Sequence, residues 1–238
     1  MNASKTDFIL LGTKTSLRKA ANFHFDFSGS SFESSEAVKL LGVTVDQALT
    51  WDHQISVIVR RCYCILVSLN RFRRHFSTEA LITIIQAHVF SQIIYCLPIW
   101  GGAADYQLNR VQKVINFAAR IVTGVRRRDH ITPALNSLHW SRIGELVEER
   151  DCLKVFRALN YMDAPAAVRS MFTRRSDVAT RETRLTCTER LHLPRVRLAS
   201  TQKCFAYRAA SEWNNLSCEA ANAPNVKTFR VARRRRAV

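Results

Sequence analysis

Arginine carries most of the chemistry this chain can offer. Arg60 and Arg61, then Arg71, Arg73 and Arg74, then Arg126, Arg127 and Arg128, and finally Arg233, Arg234, Arg235 and Arg236 form four clusters. Each falls at or beyond the end of a helical pattern or opposite an apolar stripe, and Lys113 and Arg120 share the polar side of one such helix. Guanidinium groups neutralise phosphates and release condensed counterions, which gives binding that ignores sequence and weakens with salt. Composition points the same way, because 36 Lys and Arg against 19 Asp and Glu leave a net charge of +17. An excess of that size implies a polyanionic partner. It grows toward the C-terminus, with 20 basic and 13 acidic side chains in residues 1–160 and 16 and 6 in residues 161–238. RNA, DNA or an RNA–DNA hybrid, bound without regard to sequence, is the expected partner. The run Arg233 to Arg236 reads equally as a short nuclear-localisation patch.

Other reactive side chains assemble into no recognisable machinery. Cys62 and Cys64 are the close thiol pair, but two residues along a helix turn by about 200°, so the thiols face apart. No CxxC or His/Cys set has zinc spacing, and His53, His75, His88, His130 and His139 lack an ordered set of carboxylate partners. Neither a GxSxG elbow nor a GxxxxGK[ST] phosphate loop occurs. Glu145, Glu148, Glu149 and Asp151 interleave with Arg142, Arg150 and Lys154, which reads as a solvated, salt-bridged helix face. Two-metal chemistry needs carboxylates converging from separate elements, and no Asp-Asp pair exists. The expectation is a chain with no catalytic apparatus, metal or cofactor of its own. Seven cysteines without regular spacing fit a reduced, intracellular setting, nucleus or cytoplasm.

The elements that must carry these clusters follow from periodicity. Seven Gly and five Pro in 238 residues exclude collagen-like, low-complexity and turn-rich all-β chains. Residues 1–47 read as a small sheet with one buried face: the run from Phe8 to Leu11, the alternation of Phe23, Phe25 and Phe27 with polar residues, and a strand across Lys39–Asp46. After Thr50 the period becomes 3.6. Ile55, Ile58, Val59, Cys62, Ile65, Leu66, Leu69 and Phe72 share one stripe of a helix over about 52–74, with Arg60, Arg71 and Arg74 opposite. Ser77 caps a second helix to about Cys96, and a third spans about 105–123 before Gly124. Thr132-Pro133 opens a short helix, and Ser141 precedes a long one to about Tyr161. Residues 80–104 lack Asp, Glu, Lys and Arg, yet Pro98, Gly101 and Gly102 end the pattern early, so this reads as a buried bundle helix and no membrane span. The fold class expected is α+β, mostly α, with three segments: 1–47 (β), 48–165 (helical bundle) and 166–238 (loosely structured and basic).

The order of motifs resembles the C-terminal part of reverse transcriptases from non-LTR (LINE-like, Jockey- or CR1-type) retrotransposons. Asn2, Lys5 and Thr6 before Phe8–Gly12 look like the family strand that follows the catalytic aspartates. Lys39 with Leu41-Gly42-Val43 and Asp46, then Leu49, Trp51, His53 and Ile55, resemble its next segment. Tyr95, Trp100-Gly101, Leu108, Val111-Gln112, Asn116, Ala118–Arg120 and His130–Pro133 continue the match. So do Leu138–Trp140, Ala164-Pro165, Phe205, Trp213-Asn214 and Phe229.

This resemblance implies that residues 1–47 are the end of a palm, with Leu41, Gly42 and Val43 near the primer grip. Residues 48–165 would be a thumb-like bundle and 166–238 a basic C-terminal region. It implies a leaving-group role for Lys5 only where a complete palm is supplied. The family's aromatic-x-Asp-Asp motif is not in this sequence, and Mg²⁺ is expected only for the complete enzyme. The functional expectation is therefore part of an RNA-directed DNA polymerase, inert alone, that at most binds RNA or primer–template, with the polymerase part carrying the aspartates as a further partner. The rival expectations are a basic helical interaction protein and a decayed retrotransposon copy without activity.

Overall fold

Both periods, 2 before Thr50 and 3.6 after it, reappear in the structure, a computed structural model that describes residues 6–20, 23–27, 30–178 and 190–234. It is α+β and mostly helical. A short helix, α1 (Lys14–Lys19), begins where the Thr13 hydroxyl accepts from the Ser16 N–H at 3.2 Å. Two antiparallel hairpins follow: β1 (His24–Phe27) with β2 (Ser30–Glu33), and β3 (Ala37–Leu40) with β4 (Val43–Asp46). They are separate two-stranded sheets, not the single sheet the sequence suggests. The segment 39–46, read as one strand, folds back on itself with Leu40 opposite Val43. Leu41 and Gly42 have φ of +48° and +85°, the left-handed pair that a two-residue hairpin turn requires. The Phe8 ring stacks on Phe25 at 5.3 Å and meets Phe23 at 6.0 Å. Phe23 and Phe25 nevertheless stay 47% and 42% exposed, so the aromatic face expected to be buried is half open.

Helix α2 (Asp52–Phe72) is fastened to β4 by Asp46, whose carboxylate accepts from the Thr50 N–H (2.8 Å), the Thr50 hydroxyl (2.9 Å) and the Trp51 N–H (2.8 Å). A 3₁₀ turn, Arg73–His75, ends it. The Ser77 hydroxyl caps α3 (Thr78–Ile85) by accepting from Ala80 N–H at 3.2 Å. A π-helical turn, Gln86–Phe90, leads into α4 (Ser91–Ile94). Helix α6 (Asp105–Thr123) stops at Gly124, whose φ of +73° suits glycine, and α7 (Thr132–Ser137) carries Pro133 in its first turn. Helix α5 (Leu97–Trp100) precedes α6, and the long α8 (Ile143–Asn160) follows α7. No helix among the described residues is long and apolar enough to cross a membrane.

Contacts divide the chain into two units, residues 1–96 with 103–143, and residues 97–102 with 144–238. In the first, Ile55 and Leu66 of α2, Ile85 of α3, Ile93 of α4 and Ile115 of α6 are fully buried, each worth about 1.5–3 kcal/mol. Phe90 meets Trp140 edge-on at 4.9 Å. The second unit joins α8 to six short helices: α9 (Ala166–Arg169), α10 (Arg175–Val178), α11 (Ala199–Gln202), α12 (Phe205–Asn214), α13 (Cys218–Ala221) and α14 (Val226–Arg234). Irregular segments separate them, yet α8, α12 and α14 share an aromatic core. Phe156 stacks on Phe229 at 4.7 Å and Trp213 on Phe229 at 6.1 Å, with Leu191 and Phe172 buried beside them.

Candidate nucleic-acid interface

Helices α2 and α6 pack side by side and run in the same direction. Near their starts the Arg110 guanidinium donates to the Asp52 carboxylate at 2.9 Å and to the Ser56 hydroxyl at 2.8 Å, and the Gln107 amide also donates to Asp52. Farther along, the Tyr63 and Phe117 rings lie 5.9 Å apart. At their ends a Cβ on Gly124 would sit 3.3 Å from the Arg73 guanidinium. Parallel packing therefore delivers both C-termini to one end of the first unit, where the helix dipoles favour cations.

Arginines from both helices meet there. Arg71, Arg73 and Arg74 are exposed at the end of α2, and Arg126, Arg127 and Arg128 are exposed in the loop beyond α6. None of the six is in an ion pair among the described residues. An open groove of about 410 Å³ is lined by Asn70, Arg71, Arg73 and Arg74, within the ~300–1,000 Å³ range of small-ligand sites. Arg120 plays a different part. Its guanidinium donates to the carbonyls of Arg126 and Arg127 (3.4 Å each) and Asp129 (3.1 Å), while the Asp129 carboxylate accepts from the Arg126 N–H at 3.2 Å. Arg120 thus shapes the loop that presents the arginine triplet.

The remaining sequence candidates lie elsewhere. Arg60 and Arg61 are exposed midway along α2 and Lys113 on α6. Leu41 forms the tip of the β3–β4 hairpin at 85% exposure, with Gly42 beside it, whereas Val43 is 4% exposed and faces the core. The Tyr95 hydroxyl donates to the Leu41 carbonyl at 2.6 Å, and its ring lies 3.7 Å from where a Gly42 Cβ would be. Arg233 of α14 pairs with Glu148 of α8 at 3.6 Å and donates to the Glu145 carbonyl at 3.3 Å, so an internal partner already meets its charge. Arg234 closes α14. Lys5, Arg235 and Arg236 lie outside the described residues.

Sequence reasoning missed a buried ion pair in the second unit. Asp151, read above as part of a solvated face, has no exposed surface. Its two oxygens accept from Arg208 at 2.6 and 3.3 Å, and the same guanidinium donates to the carbonyls of Lys203 (2.6 Å) and Pro98 (2.9 Å). Burial pushes the Asp151 carboxyl up to about 6, although Arg208 pulls it the other way. A signal existed: Asp151 stands four residues from both Val147 and Val155, in the middle of α8's buried stripe. The neighbouring acids do form surface pairs, Glu148 with Arg233 and Glu149 with Arg230. Among the described residues no three His, Cys, Asp or Glu converge to hold a metal ion. Burial also raises the Cys62 and Cys152 thiols to about 12. All six described cysteines are free.

Over 101 residues the chain is 31% identical to a Drosophila melanogaster protein described as "Probable RNA-directed DNA polymerase from transposon BS". That stretch of the chain is similar to part of a transposon RNA-directed DNA polymerase. The matched stretch is 41% of this chain and 11% of the fly protein, so the chain spans a small part of that relative's length. No family model matches it, and no solved structure does.

Proposed function

We propose that this chain is part of a non-LTR retrotransposon reverse transcriptase, and that its first unit binds RNA, DNA or their hybrid through phosphate contacts, inside the cell, in nucleus or cytoplasm. The observation that carries the reading is the convergence of six exposed, unpaired arginines at the shared end of α2 and α6. The motif order supports the palm-end assignment for 1–47, the thumb-like one for 48–165 and the basic C-terminal region for 166–238. Phosphoryl transfer requires Mg²⁺ held by carboxylates, and these would be supplied by the polymerase part that carries the Asp-Asp motif. The role of this chain is to hold the polynucleotide.

Six phosphate contacts predict a log–log salt slope of about −5 for a duplex, or about a 10³-fold loss of affinity between 50 and 200 mM salt. Fluorescence anisotropy with a labelled RNA–DNA hybrid measures it. Replacing Arg126, Arg127 and Arg128 with Gln reduces the slope by about 3. An affinity that does not change with salt overturns the phosphate-contact reading.

A further inference from the structure

Phe72 and Phe76 stand inside the basic end, and phosphate contacts make no use of them. Helical period places Phe72 on the buried stripe of α2, but burial on that helix stops at Leu69. The 3₁₀ turn at Arg73–His75 then redirects the chain, leaving Phe72 58% and Phe76 41% exposed. Each ring forgoes part of the stabilisation that full burial would have contributed. In sequence the two rings alternate with polar groups: Asn70, Arg71, Phe72, Arg73, Arg74, His75, Phe76. Large apolar rings kept in solvent beside unpaired cations match a polyanion that also offers flat apolar faces. Unpaired nucleic acid is such a ligand, because arginines can track its backbone while aromatic side chains take its bases. A duplex hides its base faces in the stack and would leave both rings without a partner.

We propose that the end formed by α2, the 3₁₀ turn and the loop after α6 is a single-strand site: Phe72 and Phe76 stack on bases, and the arginines hold the phosphates. This rests on the nucleic-acid reading of the same surface and adds which form of the polymer it takes. Asn70, with one acceptor and two donors on its amide, lines the groove and can bond a sugar or a base edge.

The test compares three labelled probes carrying equal numbers of phosphates at low salt: oligo-dT, an abasic strand and a hairpin duplex. The wild-type chain binds oligo-dT about tenfold or more tighter than the abasic strand, from stacking alone. Phe72→Ala and Phe76→Ala each weaken oligo-dT binding by about tenfold, with the salt slope and duplex affinity unchanged. Phe72→Trp restores a stacking face and the affinity, which separates stacking from any loss of folding in the alanine variant. Equal affinity for abasic and base-bearing strands, or phenylalanine variants that bind oligo-dT like wild type, overturns the single-strand site while salt-sensitive duplex binding stands. A chain that binds none of the probes overturns both readings.

Discussion

Replacing Arg208 with Met strands a carboxylate that has no exposed surface. The guanidinium bonds both Asp151 oxygens, at 2.6 and 3.3 Å, and bridges to the Lys203 and Pro98 carbonyls. Loss of one partner from a buried pair costs about 3–5 kcal/mol, a large share of the ~5–15 kcal/mol that holds a typical domain folded. The double variant, Asp151→Leu with Arg208→Met, leaves no buried charge and recovers most of that loss. Titration supplies an independent readout. Asp151 titrates at about 6 in the folded chain against an ordinary 3.8, a gap worth about 3 kcal/mol. Between about pH 4 and pH 6 the folded chain keeps a proton that the unfolded chain has released. Stability therefore falls as pH rises through that window and levels off above it. Asp151→Asn does not titrate, so wild type loses about 3 kcal/mol relative to it across the same interval. Urea denaturation followed by circular dichroism, repeated from pH 4 to 7 on wild type, the two single variants and the double, measures every one of these quantities. A loss below about 1 kcal/mol for Arg208→Met, or a wild-type-minus-Asn difference that is flat with pH, refutes the argument.

Two further outcomes follow from local geometry. A Cβ at Gly102 would lie 2.1 Å from the Lys203 carbonyl oxygen and 2.6 Å from the Arg208 guanidinium, so Gly102→Ala lowers stability by about 1–3 kcal/mol in thermal melts, whereas Gly144→Ala, with nothing within 4 Å, does not. Cys62 and Cys152, buried and raised to about 12, resist iodoacetamide in the native chain at pH 8, while exposed Cys64, Cys204 and Cys218 react; mass spectrometry after a timed quench reads the pattern.

Much of the helical frame was legible. The third helix, expected over about 105–123, is Asp105–Thr123, and Ser77 caps α3 as its type and position suggest. Apolar spacing and capping chemistry act within a turn or two of helix, so a linear reading sees them. The β region was read less well. One strand across 39–46 became a hairpin because Leu41 joins Gly42 at positive φ, a conformation a leucine does not advertise. Phe72 was assigned to the core by a period that carries no information about where the neighbouring helix ends. The four arginine clusters were visible as residues, but the convergence of two of them, Arg71–Arg74 and Arg126–Arg128, was not: that needed α2 and α6 to run parallel and to finish together.

By itself the sequence determined the charge excess, most helix spans between 52 and 161, the absence of an Asp-Asp pair and a motif order that resembles that of reverse transcriptases, all properties of residue types and short spacings. Only the tertiary structure decided which charges stay available. Arg120 lies next to a cluster in sequence but bonds the loop carbonyls. Arg233 reaches a carbonyl 88 residues away, and Arg208 neutralises a carboxylate 57 residues before it. Whether a cation meets solvent or a buried partner depends on which distant backbone packs beside it, and that distance along the chain is what a local pattern cannot encode.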